Sequence, residues 1–175
     1  KMENIVGTVN CGFIGKVKCN TKNMMMLSIF EQIMDMVYTS TIREEEGGTY
    51  GVGTKAVVSL NNEWVFRFAF DTNVESMERL KDRAIKEMFK VINEDIDNEK
   101  FERVKKYMLK KANDNVKRNS FWVSELNDKA LFGSTDVLNY VEIIEDITAE
   151  DVQKFVKKIF KNANKFEVMM IGVKE

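Results

Sequence analysis

The chain has 175 residues, of which 44% are hydrophobic and 31% charged, and its 27 basic and 28 acidic side chains give a formal net charge of −1. This length and hydrophobic content suffice for a globular domain with a core, and they are not typical of a disordered polypeptide. The balanced charge gives no overall preference for nucleic acid or an anionic membrane. The sequence contains no histidine, which excludes catalytic triads and zinc sites that require this residue.

The two cysteines, Cys11 and Cys19, are too few for a disulfide framework or a four-sulfur metal site. We expect both to be ordinary small, half-buried residues. The longest apolar runs, 24–27 and 168–173, are far shorter than the roughly 20 residues that cross a bilayer. Because the sequence begins at Lys1 rather than Met, we expect residues 1–175 to be a single domain excised from a longer polypeptide.

The first part of the chain predicts strands, a buried helix and a hairpin. Short apolar alternations punctuated by glycines predict one or two strands within the first 23 residues. From Met24 to Tyr38 nearly every residue outside a narrow polar stripe is apolar, which predicts a helix buried on most of its sides. Residues 52–60 and 63–71 are predicted strands of a hairpin, since Asn61 and Asn62 between them make a turn of hairpin length.

Helical spacing of apolar residues then predicts four further helices, followed by a closing strand over 166–173. The first of these helices follows the capping-box pair Thr72 and Glu75, and the second follows the N-cap Asp97. The third runs from Ser120 to Phe132 and is stopped by Gly133, and the fourth follows the N-cap Thr148. Strands at the ends and in the middle, with helices grouped between them, predict an α+β fold. We expect an antiparallel or mixed sheet with helices packed on one face.

Three motifs are interpreted as structural rather than functional. The segment 51–56 matches G-x-G-x-x-A, but a nucleotide loop needs a helix directly after the glycines, and a strand is predicted there. Eight basic residues from Lys100 to Arg118 are interpreted as the solvated face of an amphipathic helix; a nucleic-acid-binding face is the alternative, and it would show salt-dependent binding. The carboxylates in 44–46 and 142–146 lack the spacing of a calcium loop and are interpreted as solvated surface.

Arg43 and Tyr50 form a more specific pattern. Arg43 ends the predicted buried helix, and Tyr50 begins a strand directly after a pair of glycines that suit a helix C-terminus with positive φ. A guanidinium and a phenol can both donate hydrogen bonds to a backbone carbonyl or to a developing oxyanion. Side chains at the ends of elements also commonly cap carbonyls, so the residues alone leave both interpretations open.

The segment 42–52, Ile-Arg-Glu-Glu-Glu-Gly-Gly-Thr-Tyr-Gly-Val, resembles the Arg-Glu…Gly-x-x-Tyr segment in C-terminal-half domains of the pitrilysin/insulinase family of zinc metallopeptidases. In that family the Arg ends a long core helix and the Tyr follows seven positions later at a strand start, as Arg43 and Tyr50 do here. The predicted elements, including the helix start over 146–152, follow the family order over nearly the whole chain.

The resemblance implies a role in proteolysis. Family members consist of homologous α+β domains in two halves that enclose a peptide chamber, and one half carries zinc on an inverted His-x-x-Glu-His motif. By this resemblance the chain is the zinc-free, substrate-binding domain, inactive alone and without catalytic or metal-binding residues. Arg43 and Tyr50 would bind substrate and support the tetrahedral intermediate. The expected partners are a peptide and the homologous zinc-bearing N-terminal half, in the same chain or a second subunit; neither nucleic acid nor a membrane span is expected.

The alternative is a non-catalytic scaffold subunit, which would resemble the inactive partners of processing peptidases or the core subunits of respiratory complexes. Such a protein would not need the pair Arg43 and Tyr50. The composition, rich in Lys, Asn and Ile, indicates a bacterial source, and we expect an envelope or periplasmic location rather than a cytoplasmic one.

Overall fold

The computed structural model describes residues 6–132 and 139–172, which form a four-stranded antiparallel sheet with helices packed on one face. This confirms the predicted α+β class. The strands are β1 (Val6–Lys16), β2 (Gly53–Val58), β3 (Glu63–Asn73) and β4 (Asn164–Ile171). The helices are α1 (Thr21–Tyr38), α2 (Met77–Asn93), α3 (Asn98–Asn115), α4 (Asn119–Phe132), α5 (Tyr140–Asp146) and α6 (Ala149–Phe160).

The strands lie in the order β2-β3-β1-β4, so that β1 is central and pairs with both β3 and β4. The amino-terminal segment, predicted as one or two strands, is a single strand of 11 residues. The hairpin of β2 and β3 is confirmed, with Asn62 at positive φ in its turn. The final strand, β4, therefore lies at an edge of the described sheet although it comes last in the chain.

Aromatic side chains hold the helical layer on the sheet. Phe66 of β3 lies between Phe30 of α1 and Phe160 of α6, with ring centroids 5.2 Å from the first and 6.0 Å from the second. All three side chains are buried. Aromatic pairs in such tilted arrangements add about 0.5–1.5 kcal/mol beyond the burial of their area. The prediction that α1 is the central buried helix is confirmed.

The predicted helix starts are partly right. Asp97 caps α3 by accepting a hydrogen bond from the Lys100 amide at 3.0 Å, and Thr148 caps α6 in a complete capping box. The predicted capping box of Thr72 and Glu75 is wrong. Pairing with β1 extends β3 through Asn73, so Thr72 belongs to the strand.

Two further differences concern the helical layer. A short 3-10 turn (Val74–Ser76) precedes α2, and the Asn73 side chain caps it by accepting a hydrogen bond from the Ser76 amide. The seven-residue helix α5 was not predicted, because it is too short to show a clear period. The predicted stop of α4 at Gly133 lies outside the described residues.

The edge strand β4 is unusually apolar for its exposure. Val168, Met169, Met170 and Ile171 are 40–56% exposed. They alternate between the helix side and the open side of the sheet, as the pairing with β1 requires. On the helix side, Glu167 forms an ion pair with Lys81 of α2 at 3.5 Å, which ties the edge strand to the helical layer.

Both cysteines are free, with Cys11 buried on β1 and Cys19 half-buried after it. Burial, the largest influence, raises the pKa of the Cys11 thiol to about 11. The thiol is therefore protonated and unreactive at neutral pH. Within 6–132 and 139–172, none of the helices has the length and apolar character needed to cross a bilayer.

Candidate functional site

The connection between α1 and β2, residues 39–52, carries both sequence-predicted site residues. Its first part is a π-helix (Thr39–Glu45) that continues α1. The hydroxyls of Ser40 and Thr41 both donate hydrogen bonds to the Val37 carbonyl, at 2.9 and 2.8 Å. Such bonds from side chains to preceding carbonyls compete with the regular helical pattern. Ile42 is completely buried, so it fixes this widened turn on the core while Arg43 beside it stays exposed.

The second part of the connection is a glycine turn held on two sides. Gly47 has φ +63°, which confirms the positive φ predicted for one of the paired glycines. Gly48 lies against α2, because a Cβ there would lie 2.8 Å from Leu80 Cδ1 and would displace that side chain. Its carbonyl accepts a hydrogen bond of 2.6 Å from the Thr72 hydroxyl on β3. The turn is thus fixed between a helix and a strand.

Ion pairs add a further attachment to α2. Glu46 pairs with Arg79, and Glu45 pairs with Arg83 at 3.3 Å. The sequence pattern around these carboxylates indicated only solvated surface. It did not reveal either ion pair, because the arginine partners lie more than 30 residues further along the chain. Partly exposed pairs contribute little free energy, but two in succession orient the connection along α2.

Tyr50 and Arg43 project from this connection, and their side-chain hydrogen-bond donors have no partner among the described residues. The Tyr50 side chain is 100% exposed, and Arg43 is also exposed. Neither the phenol nor the guanidinium makes a hydrogen bond or ion pair to any other described residue. The interpretation that they cap carbonyls at element ends is therefore not supported within the described ranges.

Tyr50 borders a cavity of about 600 Å³ between the connection and the ends of β1 and β3. Arg43 is not among its lining residues. The lining residues are Val6, Gly47, Gly48, Thr49, Tyr50, Asp71, Thr72 and Asn73. A second, more polar cavity of about 520 Å³ lies beside the π-helix and α3, and Glu44, Asp97 and Arg103 contribute to its mixed charge.

Of the three motifs interpreted as structural, only the glycine segment is tested by the structure. β2 begins at Gly53, so a strand and not a helix follows the glycine segment, as predicted. In the basic run on α3, Lys105 donates to the carbonyls of Glu145 and Ile147 at 2.6 and 2.9 Å. Lys100 forms an ion pair with Asp97, the N-cap of α3, and Lys117, just after the helix, forms one with Asp114. Residues 142, 145 and 146 are exposed on α5.

No zinc site can be assembled from the residues seen here. The sequence has no histidine, and the part of the chain that the structure describes holds no group of three or more Cys, Asp or Glu side chains placed to bind a metal ion. The resemblance places the expected zinc in the partner half and not in this chain. The available chemistry is hydrogen-bond donation from exposed side chains.

The model of the family described as Peptidase M16 inactive domain matches residues 6–108. This chain belongs to that family. No curated protein matches the sequence.

Solved structures share the fold at low sequence identity. The periplasmic protease PqqL from Escherichia coli superposes with a TM-score of 0.85 at 16% identity, over 97% of this chain and 19% of that one. A peptidase M16 inactive domain from Pseudomonas fluorescens gives 0.80 at 15% identity, over 96% and 41%. Complex III2 from Candida albicans gives 0.73 at 11% identity, over 94% and 42%. The chain thus spans only a fifth to two fifths of these relatives.

Proposed function

We propose that this chain is the substrate-clamping domain of a zinc metalloendopeptidase, acting opposite a homologous half that carries the zinc. Arg43 and Tyr50 bind the peptide in this proposal. Family membership and the short coverage of longer relatives support a larger enzyme around this domain. The chain alone would not hydrolyse peptides, since the residues that the structure describes offer no ligand set for the metal.

The observation that carries the proposal is the full exposure of the Tyr50 side chain on a restrained backbone. Its phenol is completely exposed and without a hydrogen-bond partner in the described residues, yet the backbone two residues before it is fixed by the Thr72 hydroxyl. A side chain with no structural contact, held on a restrained connection, is the arrangement expected of a group that contacts a ligand.

The chemistry follows from the donors. Tyr50 would donate its phenolic hydrogen, and Arg43 its guanidinium hydrogens, to the carbonyl oxygen of a bound peptide and to the oxyanion that forms from it. Donors that are already oriented stabilise the transition state without reorganisation during the reaction. The metal chemistry of the reaction belongs to the partner half.

The test is Tyr50→Phe in the complete peptidase, assembled with its zinc-bearing half. We expect kcat to fall about 100-fold, the usual loss for one oxyanion donor, with unchanged zinc content and unchanged stability. Tyr107→Phe is the matched control, because Tyr107 is also exposed but lies on α3 away from the connection. It should retain the wild-type rate. A Tyr50→Phe enzyme at the wild-type rate would contradict the proposal.

A scaffold role is the second candidate, favoured by the fold shared with a chain of complex III2. It predicts that the assembled protein binds its homologous partner but hydrolyses no peptide. Deleting this domain distinguishes the two roles if the zinc-bearing half stays folded. Loss of peptidase activity supports the clamping role, whereas an assembly with no activity before the deletion supports the scaffold.

A further inference from the structure

We propose that Thr72 is a positioning residue that places Tyr50 for the reaction. This inference rests on the proposed function. Thr72 lies in β3, is only 6% exposed, and donates its hydroxyl hydrogen to the Gly48 carbonyl at 2.6 Å. The bond crosses 24 residues of sequence, so it joins the sheet to the connection that carries Tyr50.

The connection has few other restraints at this point. Among the described residues, no other side chain of the sheet makes a hydrogen bond to residues 47–51. The remaining side-chain bonds there are local, since the Thr49 hydroxyl accepts from the Gly51 amide at 3.3 Å and donates to the Gly51 carbonyl at 3.1 Å. These bonds shape the turn around Tyr50, but they do not fix it relative to the sheet.

Packing against α2 adds a second restraint at Gly48. Gly48 lies so close to Leu80 of α2 that a Cβ would approach it to 2.8 Å. The Gly48 backbone therefore lies against the helix, and the Thr72 hydroxyl holds its carbonyl from the strand. Contacts with both β3 and α2 therefore restrain the backbone two residues before Tyr50.

Loss of the hydroxyl would act on catalysis through Tyr50. The half-buried Gly48 carbonyl could take a water molecule in place of Thr72, so the fold would survive, but the turn would no longer have a fixed distance from β3. Displacement of a reacting or stabilising group by about 1 Å can cost up to 100-fold in rate. Since transition-state contacts are the most sensitive to position, kcat should change more than KM.

The experiment is a double-mutant cycle in the complete peptidase with its zinc-bearing half, using Thr72→Val, Tyr50→Phe and the double variant. Thr72→Val keeps the shape of the side chain and removes the donor. We expect it to lower kcat about 10-fold, the equivalent of one hydrogen bond, with KM within twofold of wild type. In the Tyr50→Phe background the same substitution should have no further effect, because Thr72 acts only through that phenol. Thr72→Ser should restore the wild-type kcat.

Ser59→Ala is the matched control. The Ser59 hydroxyl also donates to a backbone carbonyl, that of Glu63 at 3.0 Å, but this bond lies in the turn between β2 and β3, which contributes no lining residue to the cavity beside Tyr50. It should leave kcat unchanged. Unfolding midpoints in urea, measured for every variant, identify any loss of fold; if Thr72→Val does not fold, Thr72→Ala removes the hydroxyl with a smaller side chain and enters the same cycle.

Each outcome decides one of the two proposals. If Tyr50→Phe has the wild-type rate, the proposed function is overturned, and the role of Thr72 with it. If Tyr50→Phe loses activity but the Thr72 variant is at wild-type rate, or its effect adds in full to that of Tyr50→Phe, only the positioning role is overturned. Loss in the single variant that disappears in the double variant supports both.

Discussion

The sheet core around β3 and the connection between α1 and β2 differ in how they place their aromatic side chains. In β3, Trp64, Phe66 and Phe68 are completely buried, and their positions are determined by packing. In the connection, Tyr50 is completely exposed although its backbone is restrained. Aromatic residues of similar size thus occupy opposite environments here, and Tyr50 combines full exposure with a restrained backbone.

The sharpest test of this comparison truncates one aromatic residue in each region. Phe66→Ala removes a side chain that contacts rings from α1 and α6, and it should lower the free energy of unfolding by about 3–5 kcal/mol. Tyr50→Ala removes a ring without structural contacts and should change it by no more than about 0.5 kcal/mol. Urea denaturation measures both. Equal losses would show that the connection belongs to the core.

Glycines give a second, smaller test. A Cβ on Gly12 of β1 would lie 2.7 Å from the Phe66 carbonyl oxygen, so Gly12→Ala must move a paired strand and should cost about 1–3 kcal/mol. A Cβ on Gly51 in the connection would have no neighbouring atom within 4 Å. Gly51→Ala should therefore change the free energy of unfolding by no more than about 0.5 kcal/mol. A neutral Gly12→Ala, measured in urea, would mean that the strands can separate without loss of stability.

The smallest expected effect is a pH dependence at the start of α6. The Thr148 hydroxyl and amide donate hydrogen bonds to the Asp151 carboxylate at 2.8 and 3.1 Å and lower its pKa. Because the folded pKa lies below the unfolded one, this stabilisation is present above about pH 4. It is lost as the pH falls through the folded pKa.

Asp151→Asn removes the titrating group. Between about pH 5 and 2 the free energy of unfolding of this variant should fall less than that of wild type, and the two losses should differ by less than about 1 kcal/mol. Glu150→Gln, in the same helical turn but outside the capping box, is the control and should follow the wild-type curve more closely. Urea midpoints at several pH values test the difference. An Asp151→Asn curve as steep as that of wild type would exclude the capping box as a source of acid sensitivity.

Sequence reasoning succeeded where a local pattern determines the structure. The buried helix α1 and the hairpin of β2 and β3 follow from apolar periodicity and an Asn-Asn turn, and Asp97 and Thr148 cap their helices as predicted. The order and register of the strands depend on pairing between distant segments, which no local pattern records. The same long-range pairing made Thr72 a strand residue instead of a helix cap.

The candidate site was predictable only in part. Spacing and chemistry singled out Arg43 and Tyr50, but only the resemblance to the peptidase family gave them a binding role, which stays a prediction. The residues that restrain the connection were not predictable, because Thr72 and Leu80 approach Gly48 only in the folded chain. The positive φ of Gly47 was the one local signal of a constrained turn.

The apolar edge strand β4 has a practical consequence for handling the purified domain. Among the described residues no strand pairs with the outer edge of β4, where Val168 and Met170 are exposed, and such an edge favours pairing with the same edge of another molecule. Lys165 and Glu167, which flank Phe166 on this strand, form an ion pair with each other, so their charges largely cancel. Concentrated samples should therefore associate through this edge, and Met170→Lys should reduce that association without affecting the aromatic core.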